Sequence, residues 1–222
     1  MKKKLAAVFL AAIMILSLAG CKSTLRPALE EYNRKMNIGE LDLSILFDEQ
    51  NGFHYKDITW GMTLDEARKA SDSSIGSILG YGPNDIIIYE SDLAVQILGR
   101  RNDSASIGTI LEQSDCYMIS FAFNQDSKKL PVISEQELFD QYLVTLKEKF
   151  GDPSDYKEDT RTSDRVSTLS KSYLWDYTTP DGKKTELQWS AAYVSGAEAP
   201  SIVTLGVVYF HEALEETESA AE

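Results

Sequence analysis

Ser154-Asp155-Tyr156-Lys157 carries the Ser-x-x-Lys spacing, in which a serine nucleophile works with a lysine one helical turn on. Lys184-Thr185-Glu186 faintly echoes a later element of the same chemistry. That chemistry requires the serine at a buried helix N-terminus. Here the tetrad follows Gly151-Asp152-Pro153, and the interval to Lys184 is short for such a domain. The match is therefore read as chance in a polar loop. Cys116 would need a nearby histidine or helix N-terminus to act as a nucleophile. His54 and His211, the two histidines, show no partner spacing, so a buried structural thiol is expected. Asp152, Asp155, Glu158 and Asp159 cluster without the spacing of a calcium loop, and read as solvated. No Gly-x-Ser-x-Gly, His-Glu-x-x-His or phosphate-cradling glycine loop is present. Carboxylates for sugar hydrolysis pair in space, not along the chain, and no aromatic-rich groove signature points to them. The chain is expected to be no enzyme, with no cofactor and no metal.

One cysteine does fit a chemistry. Met1-Lys2-Lys3-Lys4 is a compact positive segment, and Leu5 to Ala19 is an apolar run broken only by Ser17. A run this short, with a basic flank and small residues at its end, reads as a signal peptide, not a mature membrane span. It ends in Leu18-Ala19-Gly20-Cys21, which resembles the lipobox of bacterial lipoproteins. The resemblance implies cleavage before Cys21 and lipid on its thiol. Acyl burial is worth roughly 0.8 kcal/mol per methylene, and stable anchoring takes more than one chain. The expected location is extracytoplasmic, anchored to the cell membrane, or to the outer membrane in a cell with two.

Charge narrows the partners. The chain carries a formal −13, and loss of Lys2, Lys3 and Lys4 with the signal makes it −16. Phosphate backbones and anionic headgroups repel such a domain, so nucleic acid is excluded and the membrane is reached through lipid on Cys21. With Cys21 acylated, Cys116 has no disulfide partner within the chain.

The elements that position side chains are organised twice over. Residues 1–20 are the signal, 21–57 the lipidated cysteine, tether and lead-in, and 212–222 an acidic tail. A first unit, 58–131, opens with a capping-box pair, Thr63 and Glu66. It continues through Gly82-Pro83 to strand-like runs at 86–89, 93–98 and 117–123. A second unit, 132–211, opens at Ser134-Glu135-Gln136-Glu137. Leu138, Phe139, Tyr142, Leu143, Leu146 and Phe150 then line one helical face up to a Gly151/Pro153 stop. Strand-like runs follow at 173–177, 185–193 and 202–210, and 154–172 reads as a mobile loop. The caps lie 71 residues apart and the Gly/Pro stops 69, which points to duplication. In 185–193, Leu187, Trp189, Ala191 and Tyr193 alternate with Glu186, Gln188 and Ser190, the pattern of a half-buried antiparallel strand.

Trp60-Gly61-Met62-Thr63-Leu64-Asp65-Glu66-Ala67, with Gly82-Pro83 beyond it, resembles the helix openings of SmpA/OmlA-type lipoproteins. It also resembles the related domains of the β-lactamase inhibitory protein. Phe150-Gly151-Asp152-Pro153 and the strand bearing Trp175 resemble the same module less closely. The polar interval Gly99–Asp115 departs from its pattern. The resemblance implies an α+β fold: two tandem helix-plus-three-strand units, helices packed on one face of an antiparallel sheet. It also implies protein–protein work in the envelope. Trp60, Trp175 and Tyr177 are the candidates for contact with an envelope or secreted protein. The alternative expectation is a surface-anchored binder of small ligands or polysaccharide.

Overall fold

The computed structural model describes residues 36–37, 41–71, 77–81, 86–92, 95–101, 110–124, 135–163, 166–194, 200 and 202–210. Cys21 and the signal, the Gly82-Pro83 turn, Ser134, His211 and the acidic tail lie outside them. Short strands β1 (Met36–Asn37), β2 (Phe47–Asp48) and β3 (Gly52–Phe53) precede helix α1 (Leu64–Ala70). Strands β4 (Ser77–Tyr81), β5 (Ile86–Asp92), β6 (Val95–Arg101) and β7 (Ser114–Asn124) follow it. Helix α2 (Glu135–Phe150) is followed by β8 (Asp155–Ser163), β9 (Val166–Thr178), β10 (Lys184–Val194) and β11 (Ile202–Phe210). One sheet runs in the order β4-β5-β6-β7-β11-β10-β9-β8, with β1 added parallel to β7, and β2 pairs with β3 separately.

This corrects the expected fold class. The described residues are mostly strand, with two α-helices, and they do not form two helix-plus-three-strand units. Four strands follow each helix, and the overlooked ones are β4 and β8, the two ends of the sheet order. Each has one strand neighbour among the described residues, and an end strand needs no continuous apolar face. Hence Asp155–Ser163 looks like loop in sequence yet pairs with β9 over nine residues, from Asp155↔Leu174 to Ser163↔Val166. The expected mobile loop at 154–172 is largely a hairpin.

Contacts divide the chain into two compact units, and β7, β9, β10 and β11 contribute residues to both. The first comprises Ala122–Trp175, Gln188–Leu205 and the described residues up to Leu41. The apolar face of α2 buries Leu138, Phe139, Tyr142 and Leu146 around Trp189, which is fully buried. The indole stacks on Phe139 with centroids 5.5 Å apart, meets Phe123 edge-on at 5.6 Å, and donates Nε1–H to the Phe139 carbonyl at 3.1 Å. Gly151, at φ 81°, ends the helix and donates to the Lys147 carbonyl at 2.9 Å. The second face of β10 is covered as well: Gln188 is buried, and half-buried Ser190 bonds Ser172 at 2.8 Å. The strand is thus more enclosed than its alternation suggests. The Tyr142 hydroxyl is buried with no hydrogen-bond partner among the described residues, and burial raises its pKa. Replacing Tyr142 by Phe should leave the thermal midpoint unchanged or higher. A loss above about 1 kcal/mol would reveal a partner for that hydroxyl.

The second unit comprises Asp42–Phe121, Asp176–Leu187 and the described residues from Gly206. The Thr63–Glu66 capping box forms: Thr63 Oγ1 accepts from Glu66 N at 3.2 Å, and Glu66 Oε2 accepts from Thr63 N at 2.8 Å. Leu64 and Ala67 are buried, and Gly99 on β6 lets α1 approach closely, since a Cβ there would sit 3.0 Å from Leu64 Cδ2. Residues of the expected lead-in are part of this core: Leu46, Phe53 and Tyr55 are buried, as is Ile58 just beyond it. The Tyr209 hydroxyl donates to the Ile58 carbonyl at 2.8 Å. Asp65 pairs with Lys69 at 2.6 Å and Arg68 at 3.0 Å, and hydrogen bonds from these cations, Lys69 first, lower its pKa. A lowered folded pKa contributes stability above the unfolded carboxylate value, lost as pH falls through the folded one. The wild type should therefore exceed Asp65→Asn by a small constant margin, under about 1 kcal/mol, above pH ~5. That margin should close below pH ~4 in thermal melts.

Candidate partner-binding surface

The surface is built on the β2–β3 turn of the second unit. Asp48 accepts backbone N–H groups from Gln50 at 2.8 Å and Asn51 at 2.7 Å, and the Asn51 side-chain amide at 2.9 Å. These bonds, the Asn51 side chain's first, lower the Asp48 pKa. His54 reaches Asp48 through Nε2 at 2.9 Å and faces the Lys56 carbonyl through Nδ1 at 2.8 Å. Both neighbours are acceptors, so this is a turn clamp with no hydroxyl or thiol to activate. Gly52 adopts φ +68°, and Phe53 N–H donates to Thr185 Oγ1 at 2.9 Å, fixing the turn against β10.

Aromatic rings are held on this support. Phe47 meets Tyr177 edge-on at 4.9 Å and Phe53 at 5.1 Å, while the Tyr177 hydroxyl donates to the Glu49 carbonyl at 3.1 Å. Trp60 donates Nε1–H to the Phe210 carbonyl at 2.8 Å, and Lys183 Nζ lies 5.5 Å from its ring centroid. Lys183 is paired with Asp181 at 3.0 Å in the β9–β10 turn, where Thr179 Oγ1 also bonds Asp181 and accepts from Lys183 N at 3.0 Å. Hydrogen bonds from Thr179, then Lys183, lower the Asp181 pKa. Phe47, Trp60 and Tyr177 are each half-buried, and Ile45 nearby in sequence is 36 % exposed. Rings whose polar atoms are already satisfied offer contact area with little rotamer freedom left to lose.

The three sequence candidates thus separate. Trp60 and Tyr177 lie in this unit, Tyr177 just before the β9–β10 turn and Trp60 beneath that turn's Lys183. Trp175 belongs to the other unit, where it is 4 % exposed and donates Nε1–H to the Gly151 carbonyl at 2.8 Å. That bond ties β9 to the end of α2. Phe47 was not singled out from sequence because its role depends on a turn that folds against a strand 130 residues away. Tyr156 and Tyr173 were also passed over, since their pairing across β8 and β9 is spatial.

The catalytic spacings do not become sites. Ser154 Oγ donates to the Leu174 carbonyl at 3.0 Å, and Lys157 lies on strand β8, 3.7 Å from Asp155. Strand geometry separates what one helical turn would bring together. No group of three or more His, Cys, Asp or Glu able to hold a metal occurs among the described residues. Cys116 is fully buried, and burial pushes its thiol up to about 12. Native protein at pH 8 should therefore resist thiol alkylation that goes to completion in denaturant; rapid labelling of the native state would contradict the packing.

No family model, curated protein or solved structure matches the chain. The resemblance to envelope modules accordingly rests on the quoted residues.

Proposed function

We propose that this chain is a cell-envelope lipoprotein, held to its membrane through lipid on Cys21, whose folded domain binds another envelope protein without performing chemistry of its own. The observation that carries the binding reading is the half-exposed aromatic set Phe47, Trp60 and Tyr177, each ring fixed by a neighbour or a backbone carbonyl. Aromatic anchors of this kind dominate interface energetics. The Leu18-Ala19-Gly20-Cys21 ending supports the address, and a net charge of −13 suits a protein partner better than an anionic polymer. The SmpA/OmlA-like opening at Trp60 agrees with this role. The test places a photo-crosslinking amino acid at position 47 in cells, with one at Val144, exposed on α2 in the other unit, as control. A discrete envelope-protein adduct from 47 but not 144 is expected. The same adducts from both positions, or none from 47, would count against it.

A further inference from the structure

His54 joins two turns. Its Nε2 lies 2.9 Å from Asp48 Oδ2 in the β2–β3 turn, and its Nδ1 lies 2.8 Å from the Lys56 carbonyl in the turn after β3. The side chain is 13 % exposed, and the His54 backbone N–H donates to the Leu46 carbonyl at 3.0 Å. A charged imidazole donates from both nitrogens, whereas the neutral ring donates from one and turns a lone pair to the other side. With an acceptor on each side, only the charged ring satisfies both contacts. The neutral ring leaves either the Asp48 carboxylate or the Lys56 carbonyl against a lone pair, and that contact must open.

The groups around the ring favour its charged form. Asp48 is the ion-pair partner, and the hydrogen bond from the Asn51 side chain, first among those that lower the Asp48 pKa, keeps that arm a carboxylate wherever a histidine titrates. Lys56 offers its carbonyl, while its ammonium is turned to the Ser71 carbonyl at 3.0 Å. Asp42, ahead of the 3-10 turn Leu43–Ile45, accepts the Ser44 N–H at 2.8 Å. Glu49 and Asp57 are exposed in the two turns, and Thr185, the β10 residue that meets Phe53, is uncharged. Lys56 is also a residue whose backbone needs a tie: it adopts φ 51°, a left-handed conformation costly for a residue with a Cβ.

Asp48 sits where the aromatic surface is held. Phe47 directly precedes it, and the Tyr177 hydroxyl donates to the carbonyl of Glu49, directly after it. We infer that His54 is a proton-operated latch on the Phe47–Tyr177 side of this surface: the charged ring ties the two turns together in the partner-binding arrangement, and loss of its proton releases them. The regulation rests on the partner-binding reading of the surface, whereas the latch itself can be observed in the isolated protein. Histidine changes charge between about pH 5 and 8, so the surface is set under mildly acidic conditions and loosened as pH rises.

The experiment has two arms. In the first, the full lipidated chain in detergent, with isotope-labelled phenylalanine and tyrosine, is followed by NMR from about pH 6 to about pH 8. The Phe47 and Tyr177 ring signals are expected to move together as one proton is lost. His54→Gln keeps a donor and an acceptor without the charge, and should hold both signals fixed; His211→Gln should leave the wild-type response unchanged. In the second arm, crosslinking from position 47 in cells is expected to give at least about threefold more adduct near pH 6 than near pH 8, and equal yields in His54→Gln. Ring signals that stay fixed in the wild type, or that move equally in His54→Gln, would overturn the latch. Equal adduct yields at the two pH values would overturn the regulation and leave the partner reading standing. Rings that respond through His54, with no adduct at either pH, would support the latch and overturn the partner reading instead. Thermal midpoints report whether His54→Gln folds; if it does not, the wild-type and His211→Gln series decide.

Discussion

Trp189→Ala is expected to destabilise the protein by about 3–5 kcal/mol, the largest loss from any single side chain considered. The indole is fully buried and touches three rings, Phe123, Phe139 and Tyr142, at centroid distances of 5.6, 5.5 and 4.9 Å. Its N–H also satisfies the Phe139 carbonyl. Truncation removes the contacts and leaves a cavity that the helix and sheet can close only by shifting toward each other. A domain stabilised by about 5–15 kcal/mol would lose a large fraction of its margin. Urea midpoints read the effect directly, with Trp189→Phe expected to retain much of the aromatic contact. A loss below about 1 kcal/mol for the alanine variant would mean that Trp189 does not organise this core.

Gly52→Ala comes next, at about 2–4 kcal/mol, because two penalties coincide there. The residue adopts φ +68°, which costs about 1–2 kcal/mol for a residue with a Cβ. The added carbon would also stand 2.4 Å from Thr185 Oγ1 and 3.0 Å from Tyr177 Cδ1. Thr185 is 1 % exposed and accepts the Phe53 N–H, so moving it leaves a buried donor unpaired. The internal control is Gly182→Ala. Gly182 adopts φ +87° but would bring its Cβ within 4 Å of nothing, so only the backbone penalty should appear. Equal losses for the two variants, measured in the same denaturant series, would contradict the packing of the β2–β3 turn on β10. Gly52→Ala should also disturb Phe47 and Tyr177, and therefore weaken partner capture in a way Gly182→Ala does not.

What the sequence made legible followed burial. The Leu138–Phe150 spacing marks a helix because its apolar face packs on Trp189, and Thr63 with Glu66 marks α1 because a capping box is a local device. Strands near the middle of the sheet order, such as β10 and β11, announce themselves with apolar side chains. β8 does not: Tyr156 is its one large apolar side chain, and its remaining residues are polar or charged. β4, only five residues long and containing Gly80, was equally quiet at the other end. Trp60 and Trp175 look alike as letters, yet one is half-exposed under Lys183 and the other is sealed against Gly151. That difference belongs to the fold. The segment around the β2–β3 turn was read as lead-in because its buried residues, Leu46, Phe53 and Tyr55, are too sparse to show a period.

A tethered protein-binding domain is tested by in-cell crosslinking with mass spectrometry of wild type and Cys21→Ala. The wild type should fractionate with membranes, carry acyl mass on Cys21 as its first residue, and capture a discrete partner. Cys21→Ala should leave the membrane fraction and lose or weaken that capture. A wild-type chain that keeps its first twenty residues, carries no lipid and captures the same proteins as Cys21→Ala would contradict it.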